Sequence, residues 1–140
     1  MVGAPPSGDL IQTFTNAIDT FNAAQNDGNY NNFQQYLLPP KVLIQKVDDP
    51  GDFVYGNAAT IIQYLNNTQA ATSYFPQFTL TGPAGSIYTS RKGEQIGDVT
   101  GEGTYLDTFD STNSINVLYC LRFKQKQGAW LLASAFVTPI

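Results

Sequence analysis

From Gly97 to Pro139 the chain runs through three consecutive long segments in which large apolar side chains fall on both phases of a two-residue alternation. Tyr105, Tyr119, Leu121, Phe123, Trp130, Leu132 and Phe136 supply the bulk. The segments break at Asp110-Ser111-Thr112-Asn113 and at Gln127-Gly128, where turn residues are expected. Three antiparallel strands of this kind make an inner wall, and an apolar wall must be covered to keep its surface from water.

The first half of the chain supplies the cover. Leu10, Phe14, Ala17, Ile18, Phe21 and Ala24 recur at steps of three and four, which predicts an amphipathic helix over 9–27, capped by Ser7 or Asp9 and closed by Asp27-Gly28. Asn29 can cap a second helix over 30–37, carrying Phe33, Tyr36 and Leu37 up to Pro39-Pro40. Val42 to Val47 reads as a strand and Asp48-Asp49-Pro50-Gly51 as a turn. A third helix is expected over 57–67, with Ala58, Ile61, Ile62 and Leu65 on one side. The other strands are expected at Phe78–Leu80, Ile87–Thr89, Ile96–Thr108, Ile115–Gln125 and Ala129–Thr138, with Arg91-Lys92-Gly93-Glu94 as a hairpin turn. This order predicts an α+β fold in which helices pack on a strongly curved, mainly antiparallel sheet. A flexible Pro/Gly/Ser tail is expected at 1–8, and 9–140 as one domain.

Charge and residue usage narrow the chemistry. Seven Lys and Arg against eleven Asp and Glu, with no basic run, give a net charge of −4 and argue against a nucleic-acid groove. No stretch approaches the roughly 20 apolar residues that span a membrane, and no partner membrane is expected. One cysteine, Cys120, allows no intrachain disulfide, and beside Leu118 it reads as a buried small hydrophobe. The cytoplasm is the default compartment, although an exported chain whose signal had been removed would read identically. The chain has no histidine, which removes Ser-His and Cys-His dyads, the commonest neutral metal ligand and the usual base near neutral pH. Nine aspartates and two glutamates are too scattered for a calcium loop, and Gly101-Glu102-Gly103 lacks the rest of a dinucleotide fingerprint. Neither a metal nor a cofactor is expected.

Four segments in order carry a resemblance: Ala23-Ala24-Gln25-Asn26-Asp27-Gly28-Asn29; Phe33-Gln34-Gln35-Tyr36-Leu37; Tyr55-Gly56-Asn57-Ala58-Ala59-Thr60-Ile61-Ile62; and Tyr119-Cys120-Leu121-Arg122-Phe123 with Gly128-Ala129-Trp130. Together they resemble the nuclear transport factor 2-like superfamily over nearly the whole chain. The resemblance implies a cone, with helices closed over a bent, cystatin-like sheet and a pocket at the wide end. Ketosteroid isomerases, SnoaL-like polyketide cyclases, dehydratases and non-catalytic association domains share it, so fold does not choose the function. The isomerase pattern places its proton-abstracting aspartate on Asp49, before Pro50. It places the oxyanion-hole donor on Tyr119, whose phenol can hydrogen-bond a developing enolate. The family's catalytic tyrosine falls near Phe21, which has no proton to give.

Candidate pocket residues are therefore Phe21, Tyr105, Asp107, Tyr119, Leu121, Phe123 and Trp130, and candidate catalytic residues are Asp49 and Tyr119. Each has a plainer reading: Asp49 as a turn residue, Asp107 as a solvated rim, Tyr119 and Trp130 as core. A domain that binds a small hydrophobic molecule comes first. An isomerase- or cyclase-type enzyme using Asp49 comes second, and a self-association or adaptor domain third. Because Leu118 and Cys120 lie opposite Val117, Tyr119 and Leu121, a homodimer through the sheet is expected.

Overall fold

A computed structural model describes residues 7–39, 41–46, 51–72, 77–106 and 114–140. Helix α1 spans Ser7–Asp27, a short 3-10 helix Asn31–Tyr36, and helix α2 Ala58–Thr72. The strands are β1 Val42–Gln45, β2 Phe53–Gly56, β3 Gln77–Thr89, β4 Gln95–Leu106, β5 Ser114–Lys126 and β6 Ala129–Pro139. They form one sheet in the order β2-β1-β6-β5-β4-β3. Among the described strands β1 and β6 are the parallel pair, through Leu43 with Ser134 and Ile44 with Ala135. The fold is the expected α+β arrangement of helices on a curved, mainly antiparallel sheet.

Local chemistry explains the element ends. Gly28 takes φ 77°, and its N–H donates back to the Ala24 carbonyl at 2.9 Å, so α1 closes on the left-handed residue that glycine supplies cheaply. Asn57 caps α2: its Oδ1 accepts from the Thr60 N–H at 2.9 Å and from the Thr60 hydroxyl at 3.0 Å. The two-residue turn Gln127-Gly128 has φ 52° and 82°, the paired positive values that suit the twist of the β5–β6 hairpin. Register shifts between Thr81 and Ala84 and between Arg122 and Phe123 mark bulges, which bend the strands and help the sheet to curve.

The wall read from sequence is real, and its two faces differ. Val117, Tyr119, Leu121 and Phe123 of β5 point inward and are buried, while Leu118, Cys120 and Arg122 between them are exposed. Inside, Tyr119, Leu121 and Phe123 share one core with Leu10, Phe14, Ala17, Phe21 and Ala24 of α1 and Ile61, Ile62 and Leu65 of α2. Full burial of side chains such as Phe123 and Leu132 contributes about 1.5–3 kcal/mol each.

Five expectations are corrected. Phe53–Gly56 is a strand that pairs with β1, where the sequence suggested only a passage from turn to helix. The two short strands expected at 78–80 and 87–89 are one, β3, continuous through a bulge at Gly82-Pro83; an edge strand tolerates proline because one side of its backbone bonds to no neighbouring strand. The second helix is 3-10, and α2 runs five residues further than expected, to Thr72. Cys120 is exposed, not buried, because none of the described helices covers the outer face of the sheet. The turns expected at 48–51 and 110–113 fall wholly or largely outside the described residues.

Candidate ligand-binding cavity

Between α1 and the sheet the inner surfaces do not quite meet, leaving a cavity of about 90 Å³. Ile18 and Phe21 come from α1, Phe33 from the 3-10 helix and Leu65 from α2; Ile44, Gln45 and Lys46 lie on and just beyond β1. The sheet adds Phe78 and Leu80 of β3, Tyr105 of β4, Leu121 of β5, and Leu132, Ala135, Val137 and Pro139 of β6. On β6 the lining follows strand alternation, since Ala135, Val137 and Pro139 share one face and sit opposite Leu121, Tyr119 and Val117 of β5.

Two features shape the walls. Four aromatic rings form an unbroken arc: Phe33 to Phe21 with centroids 5.3 Å apart, Phe21 to Phe78 at 5.6 Å, and Phe78 to Tyr105 at 5.8 Å, with tilts of 74°, 51° and 48°. These are the tilted and edge-on geometries that aromatic quadrupoles prefer. On the other side β1 diverges from β6 after Ile44, and Gln45 spans the gap, its Oε1 accepting from the Val137 N–H at 3.0 Å. Among the described residues the polar members of the lining are Gln45, Lys46 and Tyr105. The Lys46 ammonium is engaged by the Asp52 carboxylate at 2.8 Å, which holds that carboxyl below its ordinary range chiefly through the side-chain hydrogen bond.

Of the residues singled out from sequence, Phe21, Tyr105 and Leu121 meet in this cavity. Tyr119, Phe123 and Trp130 are buried in the surrounding core and are not among its lining. The Tyr119 ring stacks on Phe14, with centroids 5.5 Å apart and planes 15° off parallel, and its hydroxyl sits over Gly101 on the neighbouring strand. That hydroxyl has no hydrogen-bond partner among the described residues, nor has the Trp130 indole N–H. Burial pushes the Tyr119 phenol up from its ordinary value. Asp49 and Asp107 lie outside the described residues, as does Asp48.

Sequence reasoning missed Phe33 and Phe78 as cavity residues, along with Ala135, Val137 and Pro139. Alternation on the last strand, taken from buried Leu132 past the bulge, was a usable signal for those three. Nothing in the sequence joins Phe33 to Phe78, which are 45 positions apart and are linked through Phe21. Partial desolvation first, and the Asp98 carboxylate second, hold the Cys120 thiol above its ordinary value. Asn66-Asn67-Thr68 has the form of an N-glycosylation acceptor, and it is built into the fold, since Asn66 Oδ1 accepts from the Tyr30 N–H at 2.7 Å, its Nδ2 donates to Asn31 Oδ1 at 3.0 Å, and Thr68 is buried. Among the described residues no group of histidine, cysteine and carboxylate side chains could hold a metal ion, and no helix is long and apolar enough to cross a membrane.

No protein-family model matches the chain, and no curated protein is significantly similar in sequence. Solved structures are similar over nearly its full length. A protein of unknown function with a cystatin-like fold from Nostoc punctiforme superposes with TM-score 0.70 at 8% identity, covering 99% of this chain and 96% of that one. A nuclear transport factor 2-like protein of unknown function from Shewanella oneidensis gives 0.61 at 12%, covering 95% and 98%. The calcium/calmodulin-dependent protein kinase II hub homology domain of Chlamydomonas reinhardtii gives 0.64 at 12%, covering 93% and 96%. At these identities the likeness is one of fold: the chain has the nuclear transport factor 2-like, cystatin-like fold.

Proposed function

We propose that this domain binds a small apolar molecule in the cavity under α1. The observation that supports the reading is the composition of the walls: of the fifteen lining residues among those described, only Gln45, Lys46 and Tyr105 carry a polar side chain, and none is a carboxylate. Proton abstraction needs a base at the reacting carbon, and the described lining holds no carboxylate and no histidine, while its amine, Lys46, is paired with Asp52 at 2.8 Å. An apolar molecule would gain there what the core gains, burial at roughly 25 cal/mol per Å². The test is ligand-observed NMR with a panel of small neutral compounds, on the natural protein and on Ala135→Phe, whose added ring would fill the cavity. Binding lost in the variant, with fold retained by circular dichroism, supports the reading; identical binding by both proteins removes it. Asp49→Asn is expected to leave binding unchanged. Solvent-deuterium exchange into cyclic enones that the natural protein catalyses and Asp49→Asn does not would establish the isomerase reading instead.

A second reading concerns self-association, and one observation favours it. On the outer face of the sheet Phe53 and Tyr55 of β2 and Leu118 of β5 are exposed at 46%, 61% and 46%, and Phe53 packs edge-on against Phe136 of β6 at 5.7 Å. Large apolar groups gathered on a face without helices are the usual mark of an interaction surface. A second copy can supply the same face in return, as an isologous dimer requires. Sedimentation would show a dimer at tens of micromolar, converted to monomer by Leu118→Glu. A natural protein that is monomeric at that concentration removes this reading.

A further inference from the structure

Volume and wall chemistry together define the class of molecule the cavity takes. One water needs about 10–15 Å³ of such space, so a cavity of about 90 Å³ has room for roughly six to nine non-hydrogen atoms. A single ring with one small substituent fits. The arc Phe33, Phe21, Phe78 and Tyr105 then selects among compounds of that size. Its members already pair edge-on and tilted at 5.3, 5.6 and 5.8 Å, and a flat ring placed against it extends the series with the same quadrupole contacts. A saturated ring of equal size buries similar area and makes none of them. Charge is disfavoured as well, because the cation of the lining, Lys46, is already engaged by Asp52 at 2.8 Å and an anionic ligand would have to compete for it.

Resting on the binding reading above, we infer that the ligand is an uncharged monocyclic aromatic compound seated against the Phe33-Phe21-Phe78-Tyr105 arc. Tyr105 brings a phenolic hydroxyl to the end of that arc, so a ring bearing one neutral hydrogen-bonding substituent is the favoured form.

Two size-matched pairs of probes test this by ligand-observed NMR titration. Phenol and cyclohexanol share their non-hydrogen atoms and hydroxyl and differ in aromaticity. Benzamide and benzoate share shape and differ in charge. Phenol is expected to bind roughly two- to tenfold more tightly than cyclohexanol, the range one or two such ring contacts give, and benzamide more tightly than benzoate. Phe78→Leu is expected to lower the phenol-to-cyclohexanol ratio while leaving cyclohexanol binding nearly unchanged. Should cyclohexanol bind as tightly as phenol in the natural protein, with both lost in Ala135→Phe, the aromatic assignment is overturned and the cavity reading stands. If benzoate binds more tightly than benzamide, the uncharged assignment is overturned. If no probe binds the natural protein, both the assignment and the cavity reading fall.

Discussion

The side-chain amide of Asn22 occupies both outward backbone positions of Phe78: its Nδ2 donates to the Phe78 carbonyl at 2.8 Å and its Oδ1 accepts from the Phe78 N–H at 2.9 Å. Strand β3 lies at the edge of the sheet, where such groups would otherwise offer a template to another chain. One residue of α1 therefore caps the edge and docks the helix at the same point. Gln77 adds a third bond, its Nε2 donating to the Asn22 carbonyl at 2.8 Å. Because the Phe78 ring belongs to the cavity wall, the clip also sets one side of the site.

Asn22→Ala should therefore act on both stability and binding. Two part-buried backbone groups lose their partners, and a loss of about 1–3 kcal/mol is expected. Denaturant titration measures it, and amide exchange at Phe78 should speed up relative to Ile96 in the adjacent strand β4. A loss below a few tenths of a kcal/mol, with unchanged exchange at Phe78, would show that water replaces the clip without penalty.

Tyr30 carries a pH prediction. It is 3% exposed against Phe21, and desolvation raises its phenol from 10.0 to about 12. The folded state thus holds the proton more tightly than the unfolded state, and the stabilisation is complete below pH 10. Between pH 10 and 12 the unfolded chain releases this proton and the folded chain does not, so stability falls with rising pH, by up to roughly 3 kcal/mol from this group. Denaturant midpoints measured from pH 9 to 12 should drop, and Tyr30→Phe should flatten the decline. An equally steep decline in Tyr30→Phe would assign it to other groups, of which Tyr119 shifts in the same direction.

Alternation on the last strands was legible in the sequence because β5 switches strictly between faces, so Val117, Tyr119, Leu121 and Phe123 declared themselves as inner residues. What alternation cannot say is whether the other face is covered, and that is why Cys120 was misread. Strand β2 escaped notice because four residues between a turn and a helix carry no period. Strand β3 was read as two pieces because Gly82-Pro83 resembles a loop until the edge position and bulge are seen. Membership of the cavity depends on how far α1 stands from the sheet, which follows from packing across the whole fold. The aromatic content was therefore visible, but the arc joining Phe33 to Tyr105 was not.

The β5–β6 turn offers a stabilising change. Gln127 stands at φ 52°, in the left-handed region where a side chain with a Cβ is disfavoured and asparagine is tolerated best among non-glycine residues. Gln127→Asn keeps an amide and should raise stability by about 0.5 kcal/mol, read as a higher thermal midpoint with unchanged denaturant sensitivity. An unchanged or lower midpoint would mean that the Gln127 side chain makes compensating contacts.

Tyr119 and Gly101 face each other across β4 and β5, and they give predictions of opposite sign. A Cβ added at Gly101 would stand 2.6 Å from the Tyr119 hydroxyl oxygen and 2.8 Å from Cζ, so Gly101→Ala must push the ring off its stack with Phe14. A loss of about 1–3 kcal/mol is expected from this overpacking. Tyr119→Phe instead removes a buried hydroxyl that has no partner among the described residues, and it should be neutral or stabilising. Combining the two should recover part of the Gly101→Ala loss, because the nearest atom has gone. The same single variant separates the functional readings. Tyr119 is not among the cavity lining, so Tyr119→Phe should leave ligand affinity within about twofold of the natural protein. If Tyr119→Phe costs more than 1 kcal/mol of stability, the hydroxyl has a partner such as a buried water. If it keeps the fold but abolishes turnover on a cyclic enone, the phenol is a catalytic donor and the binding-only reading fails.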